Sequence, residues 1–487
     1  MKKLVDSRFS FQVVLYATIV ISCLFGISFG ASITHAEEFT FDTTSVQKLF
    51  SNAHANSTII LPKGTYELSG YIELPRENNV TIDATDAVFT GQITFLSAGN
   101  SGMKWKGGTF NGTGDTRLGF TLLHVENASF DGMTFNRATR FGQHVFDLLG
   151  SSDLTFKNLI VAGYGNSTDL SGLSAYQKYA EAIQTDYAIA GASGSTASEE
   201  LLISYGGELD GAATGGITVK NSQFIPYYEN GKMLSWAQSP MGQHLYAKDT
   251  QNYDINFTQN IVTNPIPLNE ITQNKYTGAL HFVSIKNLTI TDNVFTSNHV
   301  AKRENWIQVV NNANTTNPGN GSGNLPTSGV HISRNNFIGV QPTQSYVSLV
   351  SDKNNVNFKI TETIISNNTY WTNSLVDPTN WVSITDTDSQ IEQPRVEQNH
   401  VQVVDFSVLL SQFEEYVKND DISGPLVSIL TNRLQQVEHH FNNGHDEQAK
   451  KHLQGFLKHI ENRAHQQHIS EKAKQQLTIF VEILLEK

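Results

Sequence analysis

Two copies of one tripeptide, Gly142-Gln143-His144 and Gly242-Gln243-His244, bracket the string Ala180-Glu181-Ala182-Ile183-Gln184-Thr185-Asp186-Tyr187, and Ala279-Leu280-His281-Phe282 follows. Carboxylates, imidazoles and amides at one level are the groups that proton transfer on a sugar needs, with Glu181, Asp186, His144 and His244 as candidate catalytic groups and Gln143, Gln184, Gln243 and His281 as candidate ligand contacts. Two reactions suit the set. In glycoside hydrolysis one carboxylic acid protonates the glycosidic oxygen while a second carboxylate activates water or attacks the sugar; Glu181, Asp186 and Asp147 are available. In β-elimination from a uronate, His144 or His244 takes the proton and Arg140 or a Ca²⁺ ion offsets the carboxylate charge. No arginine cluster is visible and the chain is acidic, so hydrolysis is the favoured expectation. No cofactor is required, Ca²⁺ could serve only the second reaction, and the spacing of His144 and His244 is not that of a local zinc motif.

The tripeptides stand 12 and 13 residues before Phe156 and Phe257, which suggests equal positions in two turns of a repeat. Strings of apolar, polar, apolar residues recur with central residues Ile82, Trp105, Phe130, Phe156, Val219, Phe257, Ile290, Ile332 and Ile360. Steps of 23, 25 and 26 match one solenoid coil, and a step of 63 demands an extra coil or inserted loops. Period-2 strands with Asn and Gly at the corners predict a parallel β-helix, in which like side chains stack in columns about 4.8 Å apart. A column several coils tall would suit an extended polysaccharide. The long inserts carry Tyr176, Tyr179, Tyr205, Tyr227, Tyr228 and Trp236, which could stack on sugar rings or form loop cores. Trp236 is the expected platform.

Ile59-Ile60-Leu61-Pro62-Lys63-Gly64-Thr65-Tyr66 and coils such as Leu288-Thr289-Ile290 followed by Asn293 and Phe295 resemble the pectate-lyase-like superfamily of right-handed β-helices. The likeness implies an all-β right-handed parallel β-helix over residues 39–375. A His strand, a Glu-Ala-Ile-Gln-x-Asp strand and a Gly-x-His strand are also similar to secreted β-helix proteins. Polygalacturonase signatures and the Asp-Pro-His of alginate epimerases are missing. The resemblance implies a secreted polysaccharide-active protein and does not choose the reaction; the residue set slightly favours a hydrolase, with a pectate-type lyase as the alternative and a glycan-binding adhesin as the alternative from another functional class.

Residues 1–36 read as a secretory signal: Lys2, Lys3 and Arg8 precede an apolar run, and Ala36 follows Thr34-His35. The single Cys, Cys23, lies within it, so the exported chain has no thiol for disulfides. With 33 basic against 46 acidic residues the net charge is -13, which disfavours a nucleic-acid partner, and no later stretch is long enough for a membrane span. Residues 376–402 are polar and read as a linker. From 403 to 487 the apolar period becomes helical and predicts a small all-α bundle. Gly424-Pro425-Leu426, Phe441-Asn442-Asn443-Gly444 and the Phe456 stripe resemble FIMAH, a C-terminal module of secreted Gram-positive hydrolases and lyases. That implies an adaptor role toward the cell wall or another surface component. Seven of the 16 His lie in it, with His445, His452 and His459 spaced by seven, a pattern suited to metal binding, pH sensing or a solvated face.

Overall fold

A computed structural model describes residues 40–485 apart from 244, 246, 248, 268–277, 298–304, 312–324, 340–344, 352–358, 373–380 and 387–388. The leader segment and His244 therefore lie outside the described residues.

Strands from successive coils pair in parallel. Among the described residues one sheet has 11 strands, and a second of 20 strands makes the other two faces. Those two faces are joined because Gly64–Glu73 and Ala87–Ala98 run unbroken through both. Apolar residues on alternate positions point inward. Ile82, Trp105, Phe130, Phe156, Val219, Phe257, Ile290 and Ile332 occupy one register column, as expected. The next member is Ile365 and not Ile360, because Ile360 is a buried corner residue bridging Thr327 and Ile391. Phe156 is the direct neighbour of Val219, so the step of 63 contains inserted loops and no extra coil. Aromatic rings stack through the interior, Phe110 on Phe135 at 4.5 Å and Phe120 on Phe146 at 4.9 Å.

The corner asparagines form a second column. Asn260, Asn293, Asn335, Asn368 and Asn399 each donate Nδ2–H to a carbonyl near 3 Å, and each Oδ1 accepts from the backbone N–H of the preceding coil. This satisfies polar groups that the tight turn would otherwise bury unpaired.

Helix α1, Thr43–Ser51, starts on Asp42, whose carboxylate accepts from Ser45 N–H at 2.8 Å, and covers the first coil with Val46 and Phe50. The β-helix does not end at 375. Strands Val382–Asp386, Arg395–Glu397 and His400–Val403 pair in register with the preceding coil, so the expected linker is mostly a last coil. Its polarity misled because this coil has a neighbour on one side only: Ile384 and Val396 are exposed.

The helical module begins three residues later, at Phe406. Two short helices, α2 (Ala175–Tyr179) and α3 (Thr196–Ser204), lie in inserts of the β-helix, and helices α4 (Phe406–Lys418), α5 (Gly424–Asn442), α6 (Asp446–Glu461) and α7 (Glu471–Leu485) pack around Leu409, Leu430, Phe456 and Leu477. Helix α7 lies along the side of the solenoid: Phe480 stands 4.9 Å from Trp371, and Ile261, Val294 and Ile338 join the bundle's apolar cluster. Thr263 donates its hydroxyl to Gln475 Oε1 at 3.0 Å across the same junction.

Candidate functional site

The strands Leu118–Leu123, Phe146–Leu149, Glu181–Asp186, Ser239–Gly242 and Leu280–Val283 follow one another on one face. Phe120, Phe146, Ile183, Met241 and Leu280 fill the core, which fixes the register and turns the alternate residues outward. One outward column is Thr121, Asp147, Gln184, Gly242, His281 and Gln308. Asp186 follows Leu149 in the next column, and Glu181 at the start of its strand is level with Ser239.

This register corrects the equal-phase expectation. Gly242 is level with Asp147, five residues beyond Gly142, so the two Gly-Gln-His tripeptides do not stack. His144 is placed beside Glu181: Nδ1 lies 2.8 Å from Glu181 O and 3.8 Å from its Oε2. Because a carbonyl can only accept, Nδ1 carries the hydrogen. His281 Nδ1 meets Gln308 Oε1 at 2.9 Å. Gln184 donates to Asp186 Oδ2, and Leu245 N–H donates to Asp186 Oδ1 at 3.1 Å. Gln243 donates to Tyr187 Oη and Leu245 O, both at 3.1 Å, and Gln143 contributes its carbonyl to Gln238 at 2.8 Å.

Arg140 is exposed. The arginine that reaches the carboxylates is Arg117, which the sequence reading missed. Its guanidinium donates to Asp147 Oδ2 at 2.6 Å, Phe120 O at 2.8 Å, His144 O at 2.9 Å and Thr121 Oγ1 at 3.2 Å. Asp147 is 1% exposed, and burial pushes its carboxyl up to about 6 even though Arg117 and the Thr121 hydroxyl favour the charged form. The available signal was a lone cation immediately before the Leu118–Leu123 strand, in which Thr121 is the one polar side chain.

Two inserts cover this face. The first carries the short helix α2, Ala175–Tyr179, started by a reciprocal Ser174–Gln177 cap. Tyr164 ties it to the site, accepting from Gly142 N–H and donating to Gln177 O, both at 2.6 Å. Tyr176 has nearly half its surface exposed and is near enough to the carboxylates to feel them: burial of part of the ring, and then the charges of Asp147, Glu181 and Asp186, raise its phenol to about 12. Tyr179 is buried, 5.4 Å from the His281 ring. A β-carbon on Gly242 would sit 2.7 Å from Tyr179 Oη and 3.0 Å from Glu181 Oε1, which explains glycine there. The second insert carries α3, Thr196–Ser204, and packs Ala188, Ala192 and Leu202 on the outward leucines Leu96, Leu123 and Leu149. Glu199 holds its loop by accepting from Gly191 N–H at 3.0 Å and Ser193 N–H at 3.2 Å.

Trp236 is no sugar platform. It is 7% exposed among Tyr164, Tyr179 and Ile266, with its indole N–H on Thr168 O at 3.1 Å. Among the described residues no group of three or more His, Cys, Asp or Glu side chains is arranged to hold a metal ion, and no helix is long and apolar enough to cross a membrane.

Residues 406–486 match the FIMAH domain family. No curated protein matches the chain. Similar solved structures include the surface adhesin PfbA of Streptococcus pneumoniae, 16% identical with a TM-score of 0.47 over 71% of this chain and 82% of that one. A family 28 exopolygalacturonase of Yersinia enterocolitica is 10% identical, TM-score 0.41, over 75% and 79%. An alginate lyase of Paenibacillus sp. is 13% identical, TM-score 0.33, over 74% and 98%. The chain is thus a parallel β-helix carrying a FIMAH domain at its C-terminal end.

Proposed function

We propose that the protein is an exported enzyme that hydrolyses an extended glycan lying across the outward face of the β-helix, with the acid and base drawn from Asp147, Glu181 and Asp186. The observation that carries this reading is Asp147, a carboxyl poised at about 6 one strand away from two further carboxyl groups. A carboxyl that titrates near neutrality can hold a proton for the glycosidic oxygen and give it up as the bond breaks. Glu181, beside His144, is the candidate for the group that activates water or attacks the sugar. Tyr176, exposed near them, offers a ring face for a sugar.

Elimination fits less well. A uronate needs positive charge beside its carboxylate, and the Arg117 guanidinium is buried and engaged with Asp147, Thr121 and two carbonyls. A binding-only role is favoured by one observation: Asp147, Glu181 and Asp186 are at most 1% exposed, so substrate must displace Tyr176 or the loops to reach them. The leader-like segment at 1–36 supports export, tested by sequencing the N-terminus of the mature protein.

The deciding experiment is a polysaccharide panel read for new reducing ends and for the ultraviolet absorbance of an unsaturated uronate. Reducing ends without absorbance are expected. Both signals together mean a lyase, and binding with neither means an adhesin.

A further inference from the structure

The FIMAH domain carries a row of imidazoles that the glycan site does not use. Arg433 of α5 lies across α6 at Gly455, where a β-carbon would come 3.3 Å from its Cζ. Its Nη1 is 3.4 Å from His452 Nδ1. His440 stacks on His452 with centroids 5.1 Å apart and planes 10° from parallel, and His445 follows at 6.0 Å from His440. On the other side of Arg433 lies His459, 6.3 Å from His465. The row follows the seam between α5 and α6. At about 1.5 Å per residue it spans roughly 20 Å from His445 to His459.

Like charges face one another along it. Burial, His440 and Arg433 hold His452 below the ordinary imidazole range, and burial, Arg433 and His465 do the same to His459. His440 Nδ1 is shielded from solvent without a hydrogen-bond partner among the described residues. The acidic groups of the two helices, Glu438, Asp446, Glu447 and Glu461, are exposed, and none of them acts on either imidazole. Lys450, Lys451 and Lys458 add cations to α6. The bundle meets the β-helix through α7, so the described contacts to the solenoid leave this seam uncovered.

We propose that the α5–α6 seam is a docking strip for a linear phosphate-bearing polymer, engaged as its imidazoles take up protons. A row of cations about 20 Å long matches a chain of anions better than a single small ion does. Phosphate suits it better than carboxylate, because the parallel, offset planes of the His440 and His452 rings set any N–H they direct at one anion in two planes. A tetrahedral anion has acceptors outside one plane, and a planar carboxylate does not. An anion offsets the neighbouring positive charge that, with burial, holds His452 and His459 below the ordinary imidazole range, so binding and protonation reinforce each other. The carboxylate-rich site on the β-helix repels the same polymer. The strip therefore moors the protein to one polymer while the site serves another.

The test measures binding of the full chain to inorganic polyphosphate, with polygalacturonate for comparison, at pH 5.5 and 7.5 in low salt. Affinity for polyphosphate should be at least about tenfold higher at pH 5.5, since raising one imidazole by about one pKa unit on binding corresponds to about that factor. It should fall steeply with salt. The His440→Gln, His452→Gln, His459→Gln triple variant should lose the pH step. Proton uptake on mixing wild-type protein with polyphosphate in lightly buffered solution near pH 6.5 gives a readout that needs no variant. Equal affinity at both pH values, absence of proton uptake, or preference for polygalacturonate overturns the proposal.

Discussion

Asp147→Asn separates the energetic cost of the buried carboxylate from everything else in the fold. The Asp147 carboxyl is raised from 3.8 to about 6, so the folded state holds its proton over a range in which the unfolded chain has lost it. The sign follows: the native state is favoured by this proton at low pH, and that advantage declines as pH rises from about 4 to about 6 and is gone above it. A displacement of about two units is worth about 3 kcal/mol, an upper figure because nearby groups relax when the charge appears. Asparagine keeps the shape and cannot ionise. The difference between wild-type and variant stability should therefore change by about 3 kcal/mol between pH 4 and pH 7, in the direction that favours the variant at pH 7. Denaturant or thermal unfolding of both proteins across that range isolates this one group, because every other titration cancels. Parallel stability curves would refute the placement of a buried, pKa-raised carboxyl at 147. Turnover supplies the functional half of the test, with a loss of about 100-fold or more expected if Asp147 is the proton donor.

Glu181→Gln and Asp186→Asn each preserve shape; at least one should lower turnover by about 100-fold in the reducing-end assay, and full activity in both would remove these residues from the chemistry. Gly242→Ala drives a methyl group against Tyr179 Oη, the His281 backbone carbonyl and Glu181 Oε1 and should cut turnover in a folded protein; Tyr179→Phe relieves only the first of these, so recovery in the double variant should be partial, and unchanged kinetics would contradict the packing. Asn335→Ala removes four hydrogen bonds, to Ile290 O, Asn368 Oδ1, and the backbone and side-chain N–H groups of Asn293, and chemical denaturation should show a loss of about 4 kcal/mol, at about 1 kcal/mol per bond. Ending the chain after Val404 uncovers Ile261, Val294, Ile338 and Trp371, so the fragment should unfold earlier and aggregate while each folded molecule keeps its turnover; a soluble, folded, inactive fragment would give the bundle a part in the chemistry.

The column from Ile82 to Ile332 was legible in the sequence because a strand with one face in the core must alternate, and that alternation leaves a string of constant shape. The corner asparagines were legible for a similar reason: the tight turn leaves polar backbone groups that a short amide can reach. The phase of the candidate site was not. Counting back from Phe156 and Phe257 assumes that the turn after the site strand has constant length, and turn length is what a solenoid is free to change. The core residues Phe146, Ile183, Met241 and Leu280 set the register, and matching those would have put Gly242 level with Asp147. The last coil was hidden because its exposed side carries polar residues like those of a linker. Arg117 was hidden because its partners lie 30, 27 and 4 residues away in three directions, which no local pattern records.

The faces of the solenoid meet different demands, and the sequence differences between them follow from that. Where α7 lies against the solenoid, the outward residues are Ile261, Val294, Ile338 and Trp371, apolar because a second apolar surface covers them. On the neighbouring face the outward residues are Thr121, Asp147, Gln184 and His281, at least as buried, yet polar and interlinked. A cover that only shielded backbone would select leucine at these positions, as it does at Leu96, Leu123 and Leu149 a few ångströms away under α3. Keeping carboxylates and a guanidinium buried costs free energy that an apolar column avoids. On this face the carboxyl held near neutrality and the half-exposed tyrosine near it are what that cost maintains, and this contrast within one structure directs the functional tests to Asp147, Glu181 and Asp186.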